Sequence, residues 1–107
     1  MRDQTEQTEI RITREFGGYN HRRYSRPWIA RITSWPIGQR PELEWGRWLG
    51  RDGDDGLVEI AASPGDVIRW GQKDHRGNRG ENRWGIVTDE GEVRECSAEE
   101  AREHYNS

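Results

Sequence analysis

Side chains of the types that carry out catalysis are few in this sequence. Cys96 is the single cysteine, and neither it nor His104 is surrounded by the glycine and aromatic residues of a nucleophile turn. Glu42 and Glu44 alternate in a strand and so share one face, as a pair of acid and base groups can. Their charges are better explained if both side chains lie on the solvent-facing side of the strand, opposite Trp45. The sequence therefore predicts no catalytic residue and no enzymatic activity.

The side chains that could bind a metal ion do not have the spacing of a known metal site either. Asp52, Asp54 and Asp55 superficially resemble a calcium loop, but the glycine position differs and the closing bidentate glutamate is absent. The three histidines are scattered and there is one cysteine, so the spacing of a zinc site is missing. We expect neither a metal ion nor a cofactor.

Arginine and aromatic side chains are concentrated in one segment that follows Gly17 and Gly18, a pair that lets the backbone bend. Both residue types are enriched at protein interfaces. The predicted partner-binding residues are Tyr19, Arg22, Arg23, Tyr24 and Arg26. A second interpretation is structural: the tyrosines fold inward and the arginines only offset the acids at residues 52–55.

Nucleic acid is the alternative partner. Together with Arg14, His21 and Trp28, the same segment combines the guanidinium groups that neutralise phosphates with rings that stack on bases. The segment from Lys73 to Arg83 would extend this patch. The net charge is −3, however, whereas most nucleic-acid modules are basic. The sequence thus favours a protein partner, for a monomer or a homodimer, and keeps nucleic acid as the alternative.

Charge alternates in blocks along the chain. Residues 11–31 contain six arginines and one glutamate, whereas residues 42–66 contain seven acidic residues and two arginines. A basic block at 69–83 and an acidic block at 88–107 repeat the alternation. The blocks either neutralise one another across neighbouring strands or form separate positive and negative faces.

The composition allows one small folded unit. Only 30% of the 107 residues are hydrophobic, so the six tryptophans are the expected source of much of the core. We predict a single β-rich domain at residues 8–107 after a flexible tail at residues 1–7.

Short alternating stretches and turn residues predict the strands. A strand begins near Ile10, a longer one covers residues 28–35, and one strand runs through Leu43, Trp45 and Leu49. Further strands are expected at residues 57–62, 67–70, 84–88 and 92–96.

Local signals mark the connections between these strands. Pro64-Gly65 fits a type II turn, and Gly91 fits the left-handed position of a three-residue hairpin loop. Residues 51–56 have hairpin chemistry, residues 71–83 form a polar loop, and Ser97 with Glu100 forms a capping box before a helix at 98–105. The fold class is mainly β: a small antiparallel sheet or SH3-like barrel of six or seven short strands with a short C-terminal helix.

Three segments, from Thr13 to Asn20, Arg26 to Ala30 and Pro64 to Gly71, resemble small proteins of phages, plasmids and other mobile elements. These include anti-CRISPR and other anti-defence inhibitors, which are small acidic domains that bind a host nucleic-acid-handling machine. The resemblance implies an accessory protein of this class. Pro64 to Trp70 also resembles SH3-like barrels, which bears on the fold alone.

The compartment follows from what the sequence lacks. A single cysteine cannot form an internal disulfide, the first residues have no apolar signal core, and no apolar run approaches the roughly 20 residues of a membrane span. We expect a cytoplasmic protein that does not bind membranes.

Overall fold

The computed structural model describes residues 9–73 and 82–107 and is mainly β. The elements are β1 (Ile10–Phe16), β2 (Trp28–Ser34), β3 (Glu42–Trp45), β4 (Arg47–Asp52), β5 (Asp55–Ala62), β6 (Val67–Gly71), β7 (Asn82–Val87), β8 (Val93–Cys96) and α1 (Ala98–Tyr105). This confirms the predicted fold class. The predicted tail at 1–7 lies outside the described residues, as do residues 74–81 of the predicted polar loop.

The strands form two antiparallel sheets. A three-stranded sheet has the order β1-β5-β4, and a five-stranded sheet has the order β3-β2-β6-β7-β8. Because β1 and β2 belong to different sheets, the segment between them has to cross from one sheet to the other. This crossing explains why it is longer than a hairpin loop.

The chain also changes sheets at Gly46, since β3 pairs with β2 and β4 pairs with β5. The Gly46 N–H donates to the Ile29 carbonyl oxygen over 2.7 Å. A Cβ at position 46 would lie 2.3 Å from the Glu59 carbonyl oxygen, so only glycine allows this approach. The one strand predicted through residues 43–49 is therefore two strands, and the described residues contain eight strands.

The change of sheet also changes which side chains are covered. Leu43 of β3 packs into a cluster under α1, whereas Trp45 is 62% exposed. Beyond Gly46, Trp48 packs against the core between the sheets and Leu49 is exposed. The prediction that Trp45 faces away from solvent is wrong, because it lies on a part of the sheet that no element of the described residues covers.

Aliphatic side chains build most of the core. The cluster between the two sheets contains Ile12, Phe16, Ile29, Val58, Ile60, Ala62, Ile68, Trp70 and Val87. The cluster under α1 contains Ile32, Trp35, Val67, Ile86 and Ala101. Trp35 and Trp70 are the buried tryptophans, so the expectation that tryptophans form much of the core holds for only these two.

Two predicted glycine turns are present. Gly65 has a φ of 91° in the turn between β5 and β6, and Gly91 has a φ of 83° in the β7–β8 hairpin loop. Both angles lie in the left-handed region that favours glycine. The local turn chemistry thus predicted both connections.

Helix α1 has the predicted bounds and capping box. The Glu100 N–H donates to the Ser97 hydroxyl over 3.0 Å, and the Ser97 N–H donates to the Glu100 carboxylate over 3.3 Å. His104 Nε2 donates to the Gly65 carbonyl oxygen over 2.9 Å, which ties the helix to the β5–β6 turn. In the described part of the chain, no helix has the length and apolar character of a membrane span.

Charged side chains pair across neighbouring strands. Arg11 of β1 and Arg47 of β4 both contact Glu59 of β5, at 2.8 and 3.0 Å. Arg31 of β2 bonds Glu44 of β3, and this hydrogen bond raises the pKa of the Arg31 guanidinium. Within these strands the charge blocks therefore neutralise one another.

We expect Gly46→Ala to lower the free energy of unfolding by about 1–3 kcal/mol, because the added methyl group overlaps backbone. Gly17→Ala is the matched control, since its Cβ would meet its nearest atom, Asp55 Oδ1, at 3.7 Å. The control should change stability by less than about 0.5 kcal/mol. Urea unfolding measures both variants, and equal losses would contradict the crowding at Gly46.

Candidate binding surfaces

Backbone hydrogen bonds attach the segment at residues 19–26, here called the arginine loop, to both sheets. The Tyr19 N–H donates to the Asp54 carbonyl oxygen of the β4–β5 hairpin over 2.7 Å. At the other end, the Ser25 N–H donates to the Lys73 carbonyl oxygen, just past β6, over 2.9 Å. The loop therefore has a defined course, and Lys73 lies beside it as the sequence suggested.

The two tyrosines of the arginine loop are largely covered. Tyr19 is 7% exposed, and its ring centroid lies 5.3 Å from that of Trp48. Tyr24 is half-buried, with the Arg23 guanidinium 5.4 Å from its ring. Their rings support the loop and offer little free surface for stacking.

The arginines of the loop are accessible to solvent, although the Arg26 guanidinium lies 5.6 Å from the centre of the Trp48 ring. Arg22, Arg23 and Arg26 are exposed, and none of them forms an ion pair with a carboxylate in the described part of the chain. The carboxylate of Asp54, whose carbonyl oxygen accepts from the Tyr19 N–H, is approached by Arg51 at 3.8 Å. The predicted offsetting of acids at 52–55 is thus performed by Arg51 and not by the loop arginines.

Arg14 is not part of this basic surface. It lies opposite the buried Val58 on the inner side of β1, and its guanidinium is 4.8 Å from the Trp70 ring. Burial lowers the pKa of Arg14, although the charge of Glu95 opposes this shift. Trp28 is also separated from the loop tyrosines, because it lies on the outer face of the five-stranded sheet.

A row of stacked side chains, here called the aromatic ladder, crosses that outer face. It consists of Trp45, Trp28, Arg69, Trp84 and Trp35. Successive ring centroids of Trp45 and Trp28 lie 5.7 Å apart, and those of Trp84 and Trp35 lie 5.0 Å apart. Arg69 joins the two pairs, with its guanidinium 5.6 Å from the Trp28 ring and 4.7 Å from the Trp84 ring.

Strand register places the members of the ladder together. Ala30 of β2 is opposite both Trp45 and Arg69, and Arg69 is opposite Trp84. Residues directly opposite one another share a face of a sheet, and Trp28 shares it by alternation with Ala30. Four strands therefore contribute to one continuous surface.

Arg69 is held in place at the centre of the ladder. Its Nε donates to Asn82 Oδ1 over 2.8 Å. Burial between the two indoles lowers its pKa, and no carboxylate of the described residues forms an ion pair with it. Among the described residues, the guanidinium thus has no carboxylate partner in its partly desolvated position.

Helix α1 covers one end of the outer face. Ala101 is fully buried against the cluster that includes Ile32, Val67 and Ile86, and Trp35 belongs to this covered end. The other end, with Trp28, Trp45 and Asn82, lies outside that cluster. Exposure along the ladder increases from Trp35 to Trp45.

Sequence reasoning missed Arg69, Trp84 and Trp45 as members of a surface, whereas Asn82 lies in the segment from Lys73 to Arg83 that was expected to extend the basic patch. Trp45 was assigned to the side away from solvent, and Arg69 stood inside an apolar strand without a visible partner. The only signal in the sequence was the position of Arg69 between apolar strand residues, which indicates that the fold provides specific contacts for its charge.

The candidates for catalysis and metal binding are not brought together. Cys96 is half-buried, and His104 contacts the Gly65 carbonyl oxygen instead. Glu44 is engaged by Arg31. Among residues 9–73 and 82–107, no group of three or more His, Cys, Asp or Glu side chains is arranged to hold a metal ion.

Comparison with protein-family models, with curated proteins and with solved structures gives no match for this chain.

We expect the Cys96 thiol to react slowly with disulfide reagents. Burial and the charge of Glu100 raise its pKa, outweighing the opposing charge of Arg94, so the thiolate fraction at a given pH is smaller than for an unperturbed thiol. The rate should keep rising with pH beyond the point where a free thiol levels off. Reaction with a coloured disulfide at pH 7–10 measures this, with a small free thiol as control. A rate above that of the small thiol at neutral pH would contradict it.

Proposed function

We propose that this chain is a non-enzymatic protein-binding module whose arginine loop binds an acidic surface of a partner protein. The loop presents Arg22, Arg23 and Arg26 on a backbone that is attached at both ends. Preorganisation of this kind reduces the conformational entropy lost on binding.

The observation that carries the proposal is the different use of arginine in the strands and in the loop. Strand arginines such as Arg11, Arg31 and Arg47 contact glutamates on neighbouring strands. The three loop arginines have no such partner among the described residues. A cationic cluster that the described part of the fold leaves uncompensated is complementary to an acidic partner, and such complementarity speeds and orients association.

The packing of the two loop tyrosines against neighbouring side chains favours a protein partner over a nucleic-acid partner at this loop. Nucleic-acid binding without base pairing relies on aromatic faces as well as on cations. Tyr19 is packed on Trp48, and Tyr24 lies under Arg23. What the loop offers is guanidinium groups, which bind carboxylates bidentately.

The resemblance to mobile-element proteins supports a narrower version of this proposal. In that version the module is an anti-CRISPR or other anti-defence inhibitor, and its partner is a host nucleic-acid-handling protein. This assignment to mobile elements rests on sequence resemblance and stays a prediction.

We expect the combined change Arg22→Ala, Arg23→Ala and Arg26→Ala to abolish capture of the partner from bacterial lysate while leaving the melting temperature unchanged. The capture should survive nuclease treatment, because the partner is a protein. Quantitative mass spectrometry of the captured proteins, beside a thermal melt of each variant, provides the measurement.

A matched variant removes the same charge elsewhere, by changing the exposed Arg40, Arg94 and Arg102 to Ala. This control should retain the partner. Loss of capture in both variants would indicate a nonspecific charge effect. A lowered melting temperature with capture intact in the loop variant would mean that the loop is structural. Either result refutes the proposal.

A further inference from the structure

We propose that the open end of the aromatic ladder binds single-stranded nucleic acid, with a base stacked on Trp45 and a phosphate contacting Arg69. This surface is separate from the arginine loop and adds a second binding activity to the one proposed above.

The first argument is the exposed indole. Trp45 lies on β3, an edge strand, and is 62% exposed although its side chain is large and apolar. Its contact with Trp28 is edge-to-face, at an angle of 76°, which fixes the ring without covering it with a parallel partner. An immobilised and accessible ring is what a base requires for stacking.

The second argument is the charge of Arg69. Two indoles flank its guanidinium, and Asn82 Oδ1 accepts a hydrogen bond from Nε. The terminal nitrogens form no ion pair with a carboxylate of the described residues. A phosphate oxygen is the anion that accompanies a stacked base, and Arg binds phosphate well.

The third argument is the distribution of acids across the sheet. The strand positions that form the open end of the outer face, at Trp45, Trp28, Arg69 and Trp84, carry one charged residue, Arg69, whereas Arg94 at the covered end is paired with Glu100 of α1 at 3.9 Å. Glu44 of β3 and Glu95 of β8 are opposite Arg31 and Gly85, on the other side of the sheet. The strand positions around the open end of the ladder therefore add no negative charge beside Arg69.

These features together select the ligand. An acidic peptide would satisfy Arg69 but provides no regular series of flat rings, and a cationic ligand would be repelled. A duplex keeps its bases stacked inside and leaves Trp45 without a partner. Single-stranded DNA or RNA provides both the ring and the anion in each nucleotide.

The test is binding of fluorescein-labelled oligo-dT and oligo-U of about 15 nucleotides to the whole chain by anisotropy. We expect binding at about 50 mM salt that weakens about 2- to 3-fold at about 200 mM for the single phosphate contact to Arg69, because each such contact releases counterions. Trp45→Ala should weaken it by about 5- to 100-fold, the effect of losing one stacked base. Arg69→Lys, which keeps the charge but loses the planar group, should weaken it less.

Ile37→Ala is the matched control, since Ile37 is an apolar side chain that is 90% exposed and lies off the ladder. It should bind like the unchanged protein, and thermal melts should show that all three variants are folded. A blunt duplex of the same length and poly-glutamate should both bind more weakly than the single strands.

Several results would overturn the proposal. These are no binding of either oligonucleotide at low salt, equal affinity in the Trp45 and Ile37 variants, or equal binding of duplex or poly-glutamate. Because partner capture by the arginine loop is measured separately, failure of either proposal leaves the other unaffected.

Discussion

The close approach of Gly46 to β5 determines how the two sheets are joined. At this point the backbone bonds Ile29 of one sheet while it passes within contact distance of Glu59 of the other. A side chain would hold the two sheets apart. The same bend separates Trp45, which faces solvent on the outer side of one sheet, from Trp48, which packs between the sheets and supports Tyr19. Both candidate binding surfaces therefore depend on this crossing.

Arginine has three distinct roles in the molecule, although composition shows only its abundance. On neighbouring strands it neutralises glutamates, as Arg31 does with Glu44. Arg14 and Arg69 lie against tryptophan rings, where burial lowers their pKa. On the arginine loop the charge remains uncompensated within the described chain. Arg69 and the loop arginines are therefore the ones whose charge is available to a partner, whereas Arg14 lies on the inner side of β1 against Trp70.

Features fixed by neighbouring residues were predictable from the sequence. The capping box at Ser97, the left-handed glycines at 65 and 91 and most strand positions followed from local chemistry. The division of the predicted strand into β3 and β4 at Gly46 was not predictable, because it depends on the close approach of a backbone oxygen from a strand distant in sequence. For the same reason the ladder around Arg69 escaped detection, since it requires the order of four strands, whereas the arginine loop is contiguous and its members were visible at once.

The pairing of β1 with β5 has a consequence for how this chain folds. It joins Ile10 to Ala62, so β1 can form these hydrogen bonds only after the chain as far as β5 has been synthesised. Closing such a long loop costs entropy before any contact compensates for it. Small β domains dominated by non-local pairing fold in milliseconds to seconds, and during synthesis the unpaired edge of β1 remains open until β5 leaves the ribosome.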